Sequence, residues 1–188
     1  VAKRAMALVV EAAAFAADAH ALQRRDDGET PYFNHLAAVA RRCASALPAD
    51  AVLLAACYLH DVLEHTGCTE PLLREKFPKD VVDLVLEVTN PPGLKGREKR
   101  VHQVEQARRS SRRAKLIKLA DKTSNVLELV EMPAQDETVR GMSKYLRWAR
   151  RTVEACRGAE PGMESAFDAA AERLDKVIER RREKEGRA

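Results

Sequence analysis

From Ala51 to Leu59 the chain reads Ala-Val-Leu-Leu-Ala-Ala-Cys-Tyr-Leu, with no charged residue on any face. A helix that is apolar all round has no side to offer water, so this one must lie at the centre of a domain with other elements packed about it. Directly behind it follow His60, Asp61, Val62, Leu63, Glu64 and His65. Ionisable groups therefore crowd the end of the most buried segment. Unpaired charge is costly to bury, so these side chains must be paired, neutralised or bound to a metal.

The surrounding sequence has helical periodicity throughout, cut by short breakers. A first helix is expected over residues 3–23, ending in the polar run from Arg24 to Pro31 that contains Gly28. Further helices are expected over 33–47, 50–63, 80–89, 97–108, 112–131, 136–157 and 160–185, with Asn90-Pro91-Pro92-Gly93 as the firmest break. Thr69 followed by Pro71 reads as an N-cap opening a short helix to Phe77. The surplus of alanine, leucine, glutamate and arginine over β-branched and aromatic residues points the same way. The prediction is an all-α, compact single-domain helical fold, as befits 188 residues. Residues 158–188 form a charged C-terminal helix packed on, or extending from, the same domain. Residues 172–187 mix both signs and read as a solvated helix that frays.

Several classes are excluded. A hydrophobic share of 45% is too high for a disordered chain, and eight glycines and eight prolines are too few for a collagen or a linker. No apolar run reaches the roughly 20 residues of a membrane span. Lys3 and Arg4 ahead of an alanine-rich stretch imitate a secretory signal, but Glu11 and Asp18 interrupt it and suit the wet face of an amphipathic helix. Val1 in first place points to trimming or an alternative start. Cys43, Cys57, Cys68 and Cys156 form no Cys-x-x-Cys pair and read as reduced core thiols of a cytoplasmic protein.

Two further segments can complete a site with His60 and Asp61. His35 follows Pro31-Tyr32-Phe33-Asn34 within an otherwise apolar helix start, and Asp121 ends Lys118-Leu119-Ala120-Asp121, with Asn125 four residues on and on its face. Two imidazoles and two carboxylates make a mixed nitrogen and oxygen set suited to manganese, iron(II) or zinc. If the helix persists, His60 shares a face with Glu64 and Asp61 with His65. Taken singly, His35 reads more readily as a hydrogen-bonded core or cap histidine, and Asp121 as the ion-pair partner of a nearby lysine.

Taken in order, Pro31-Tyr32-Phe33-Asn34-His35, His60-Asp61 with Glu64, and Lys118-Leu119-Ala120-Asp121-Lys122 with Asn125 resemble the HD-domain alarmone hydrolases. The resemblance is to the small single-domain branch related to the hydrolase domain of Rel and SpoT proteins, and it spans about residues 5–155. It implies an HD-type helical fold over residues 1–157 and a Mn²⁺-dependent enzyme that removes the 3′-pyrophosphate of ppGpp or pppGpp, yielding GDP or GTP. It also implies His35, His60, Asp61 and Asp121 as metal ligands, and Glu64 as the first member of a catalytic Glu-Asp pair. Arg24 and Arg25 occupy the positions of a substrate-binding basic pair, while Asn125 and Tyr145 match nucleotide contacts.

The chain departs from the family pattern twice. His65 stands where the family has the second catalytic carboxylate; an imidazole can still serve as acid or base, since its ordinary pKa is about 6.5. Leu127 stands where relatives commonly carry arginine, which predicts one anchoring cation fewer near the nucleotide. The expected partner is thus a small nucleotide. Another nucleotide such as NADPH, or alarmone binding with weakened turnover, are the alternatives. Residues 95–118 are strongly basic, which could steer a polyanion to the site or simply form solvated helix faces. Nucleic acid is disfavoured because an aromatic content of 4% and a net charge of +4 supply no stacking platform. The sequence leaves the oligomeric state open.

Overall fold

The computed structural model describes residues 2–134 and 136–186. The expectation about Val1, and Arg187 of the charged tail, lie outside the described residues. Ten helices follow one another among those described: α1 (Ala2–Ala19), α2 (Tyr32–Ala46), α3 (Ala51–Leu59), α4 (Val62–His65), α5 (Glu70–Lys76), α6 (Lys79–Val88), α7 (Gly96–Arg109), α8 (Arg112–Glu131), α9 (Val139–Glu154) and α10 (Pro161–Glu185). The chain is all-α, and the described residues form no strand beyond an isolated antiparallel bridge between Arg24 and Pro31. No described helix is long and apolar enough to cross a membrane.

The uncharged segment does lie at the centre. Leu53, Ala55, Ala56, Cys57 and Leu59 of α3 are fully buried. They are covered by α1, α2 and α6, while α2 also packs on α8, and α8 in turn carries α9 and α10. Burial of Leu36 and Val39 from α2 with Leu116, Ile117 and Leu119 from α8 closes the core around it. Cys43, Cys57 and Cys156 are buried free thiols, and Cys68 is half-buried and also free.

Side-chain caps fix several helix starts by satisfying amide groups that have no partner within the helix. Asp50 accepts from Leu53 N at 3.0 Å, Ser111 from Ala114 N at 3.3 Å, Thr138 from Gly141 N at 3.0 Å and Glu160 from Met163 N at 2.6 Å. Thr69 does occupy the N-cap position of α5, but its side chain makes no capping bond. The ninth helix begins at Val139 rather than 136, and α1 stops at Ala19 rather than 23.

The most consequential departure is the split of the expected 50–63 helix into α3 and α4. His60 Nδ1 bonds to the Cys57 carbonyl at 2.7 Å, an acceptor that a continuing helix would give to the amide four residues on. The chain turns at His60 and Asp61 and resumes with Glu64 N and His65 N donating to Asp61 O at 3.2 and 3.0 Å.

Candidate active site

The break in the central helix, the start of α2 and the middle of α8 meet at one pocket of about 370 Å³. His35, buried on α2, projects Nε2 to 3.3 Å from Asp121 Oδ1 and 3.8 Å from Asp61 Oδ2. His60 Nε2 lies 3.3 Å from the same Asp61 oxygen. Ligand atoms of His35, His60 and Asp121 all fall within 4.8 Å of one another. Asp61 sits against both imidazoles while accepting from Tyr32 Oη at 2.7 Å.

The donor set fits a divalent cation. Because a carbonyl only accepts, the bond from His60 Nδ1 to Cys57 O leaves the lone pair on Nε2, and that atom is buried with no hydrogen-bond partner. His35 Nδ1, 3.5 Å from Glu128 Oε1, has the carboxylate neighbour that commonly orients a metal-binding imidazole. The charge balance points the same way. Burial opposes a charge on His35, yet the facing Asp121, Glu128 and Asp61 carboxylates push its pKa up to about 9. Burial would raise Asp61, but His60 and His35 bring it down to about 2. Asp121 is likewise held well below the usual carboxylate range, against its burial, by Lys122 and His35. So much gathered carboxylate charge calls for a proton or a metal ion to neutralise it.

Glu64 enters the pocket from α4. Its carboxylate accepts from Asn90 N at 2.8 Å, from Asn90 Nδ2 at 2.8 and 3.0 Å, and from Lys99 Nζ at 2.9 Å. His65, its neighbour, stands at the pocket mouth with its side chain 43% exposed and Nε2 at 3.9 Å from Asp61 Oδ1.

The two arginines separate. The loop between α1 and α2 folds back on itself through Arg25 N to Thr30 O at 2.8 Å and Tyr32 N to Gln23 O at 3.1 Å, and Asp27 braces the turn by accepting from Glu29 N and Thr30 N. On extended backbone adjacent side chains point to opposite sides. Arg25 therefore lines the pocket, donating to Glu128 Oε2 at 2.8 Å and Asn125 Oδ1 at 2.6 Å with its guanidinium 4.9 Å from the Tyr32 ring centroid. Arg24 is exposed, bonds only to the Ala21 and Gln23 carbonyls, and is not part of the lining. Of the two arginines expected at the site, the structure thus brings Arg25 to the pocket and leaves Arg24 outside its lining.

Asn125 bridges the cluster, giving Nδ2 to Asp121 Oδ1 at 2.6 Å. Tyr145 lines the pocket too, its hydroxyl buried without a partner. Leu127 packs against the apolar core and does not line the pocket. The wall also holds Tyr32, Lys118 and Lys122, which stand in the sequence motifs without a site role, and Asn90, Lys99 and Trp148; Glu128 lies behind it, against His35 and Arg25. Glu128 was legible, being seven positions after Asp121 and hence on the face it shares with Asn125. Lys99 falls on α7 within the basic stretch 95–118, but nothing in that stretch marks it out from its neighbours, and Asn90 reads only as part of the break after α6.

Helices in this order, with a His-Asp pair at a broken central helix and a distant His and Asp closing on it, define an HD-type hydrolase. A family model described as HD domain matches residues 12–146. A Xenopus tropicalis protein named guanosine-3′,5′-bis(diphosphate) 3′-pyrophosphohydrolase MESH1 is 38% identical over 164 residues, covering 86% of this chain and 92% of that one. The Homo sapiens protein of the same name is 40% identical over 163 residues, covering 86% and 91%. The solved structure of a metazoan ortholog of SpoT, described as hydrolysing ppGpp, superposes with a TM-score of 0.82 at 37% identity, covering 87% of this chain and 93% of that one. The chain belongs to the HD-domain family, in the alarmone-hydrolase branch that these proteins represent.

Proposed function

We propose that this chain removes the 3′-pyrophosphate of ppGpp and pppGpp with the help of a divalent cation, Mn²⁺ in the first place. The observation that carries the reading is the convergence of two buried imidazoles and Asp121 beside an anchored Glu64, in a chain 38–40% identical over most of its length to proteins named for that reaction. His35 and His60 through Nε2, with Asp121 and Asp61, would hold the cation. When bound it would lower the pKa of a water molecule and draw charge from a phosphoryl oxygen. Glu64, fixed by Asn90 and Lys99, orients the attacking water and takes its proton. Arg25, Lys99, Lys118 and Lys122 ring the pocket and offset the charge of the diphosphate. Tyr145, Asn125 and Trp148 form the wall for the nucleoside.

A second reading, alarmone binding with slow turnover, is favoured by one observation: at the position of the second catalytic carboxylate, His65 points into the mouth with its side chain half in solvent. The test is pyrophosphate release from ppGpp by the purified protein with Mn²⁺, alongside Asp121→Ala, His65→Asp, and NADPH as alternative substrate. Loss of both metal and turnover in Asp121→Ala is expected. Full activity in Asp121→Ala, or no pyrophosphate from wild type, would sink the leading reading, and turnover gained only in His65→Asp would establish the second.

A further inference from the structure

A second cavity, of about 830 Å³, opens between α7 and α9 and shares two wall residues, Arg100 and Trp148, with the pocket just described. Its lining is unusually one-sided. Arg97, Arg100, Lys144, Arg147 and Arg151 all face it, and none has a carboxylate partner within 4.0 Å among the described residues. The remaining charges there are already matched. Arg108 pairs with Glu105 at 2.7 Å, Arg150 with Asp175, and Glu154 with Arg157 at 3.1 Å. Five cations without carboxylate partners, most of them exposed, give this groove a local positive potential that attracts an anion.

The spacing describes that anion. Lys144, Arg147 and Arg151 stand at i, i+3 and i+7 on α9 and so form one row, about 10 Å long at the helical rise. Arg97 and Arg100 stand at i and i+3 on the facing α7. Forked guanidinium groups in two facing rows suit successive phosphates better than a single carboxylate. Between them Val101, 56% exposed, lies with Val104 and Ala155 as a floor that makes no polar demand. Trp148 is the only aromatic residue in the lining, so successive bases have nothing to stack on and RNA is disfavoured.

We propose that this groove is a polyphosphate subsite, which takes the phosphate chain of a nucleotide at the end remote from the scissile bond and gives preference to the longer 5′ chain. Arg100 and Trp148 wall both cavities, which sets the groove next to the first pocket, within reach of the same molecule's phosphate chain. The identity of the nucleotide rests on the alarmone reading; the groove itself does not.

Two measurements on the full chain separate these. Titration calorimetry with inorganic tripolyphosphate is run on wild type and on the double variant Arg147→Ala/Arg151→Ala, whose exposed side chains leave the core untouched; Arg97→Ala, on the other helix, serves as an independent variant. Tripolyphosphate binding weakened about tenfold or more in the double variant is expected, with most of the affinity retained in Arg147→Lys/Arg151→Lys. In the kinetic arm, KM for pppGpp rises several-fold more than KM for ppGpp and kcat stays unchanged. Equal tripolyphosphate binding by wild type and both alanine variants, or an equal rise in the two KM values, overturns the proposal. So does a short single-stranded RNA that displaces tripolyphosphate and binds more tightly. Wild type that hydrolyses neither nucleotide, yet binds tripolyphosphate in an Arg147- and Arg151-dependent way, removes the alarmone reading and leaves the groove standing.

Discussion

Glu64 is the best-anchored side chain at the pocket, because Asn90 gives it a backbone and a side-chain donor while Lys99 supplies a charged one. A base whose angle is fixed before substrate arrives needs no reorganisation during the reaction. Replacing Asn90 by alanine removes the side-chain amide that bonds both Glu64 oxygens and leaves the Asn90 backbone N–H and Lys99 in place, so kcat should fall about tenfold with KM within about twofold; steady-state kinetics with a metal assay checks this, and an unchanged kcat would rule out an anchoring role for the side chain. Lys118 is the second case. Burial first, and the neighbouring Lys122 next, bring its ammonium down to about 8 while it donates to Gln106 Oε1 at 2.8 Å. With a folded pKa of about 8 against 10.5 unfolded, the unfolded chain binds more protons between those values. The penalty is therefore full below pH 8 and fades as pH rises toward 10.5. Lys118→Met should raise stability by roughly 2 to 3 kcal/mol near pH 7 and by much less near pH 10, read as denaturation midpoints in chelator, and a pH-independent difference would refute the assignment. At this scale the sequence was informative about His35, His60, Asp61, Glu64 and Asp121, whose chemistry is rare in apolar surroundings. It was ambiguous for Arg24 and Arg25, since only the folded-back loop decides which of two adjacent arginines faces in.

Two helices do most of the positioning, and each does it through a local irregularity or a face. The turn at His60 and Asp61 lets adjacent side chains reach one point, which an unbroken helix would aim roughly 100° apart. No glycine or proline marks that turn, and the bond from His60 to Cys57 O that accompanies it uses a ring nitrogen, so periodicity predicted one helix over 50–63 where two stand. The α8 prediction, by contrast, matches at both ends, because Ser111 supplies a cap and the 3.6-residue period runs on unbroken. The same regularity places Asp121, Asn125 and Glu128 on the site face and Thr123 toward Met163 of α10. The start of α3 rests on Asp50, which caps Leu53 N and also accepts from Arg113 Nε at 2.7 Å. Asp50→Ala should cost about 1 to 2 kcal/mol in urea unfolding, while activity per folded molecule is kept because the cap lies at the far end of α3 from His60. A matching loss of kcat at full stability would show instead that α3 transmits its start to the site.

Across the whole molecule, the pocket is lined by residues from Arg25 to Thr152, while α10 adds to the core without lining the pocket. The family match ends at residue 146, before α10 begins. Yet α10 is no free tail, because Met163, Phe167, Ala170, Ala171, Leu174 and Ile178 are buried and the helix lies along α8. Its last turns, with Arg182 and Lys184, carry the charges that made residues 172–187 look solvated. The apolar positions along its first half follow a helical period, which is why the docking was open to prediction and the extended alternative was not needed. Because α10 packs on the side of α8 marked by Thr123, opposite Asp121, it buttresses the helix that presents the site without touching the site itself. Phe167 is among the largest fully buried side chains. Phe167→Ala should therefore cost about 3 to 5 kcal/mol and lower Tm by about 10 °C, with kcat and metal content per folded molecule unchanged at low temperature. Calorimetric melting and active-site titration on the same sample decide it: a variant that melts like wild type but loses turnover would mean that α10 shapes the pocket, and the division between a catalytic body and a stabilising C-terminal helix would have to be given up.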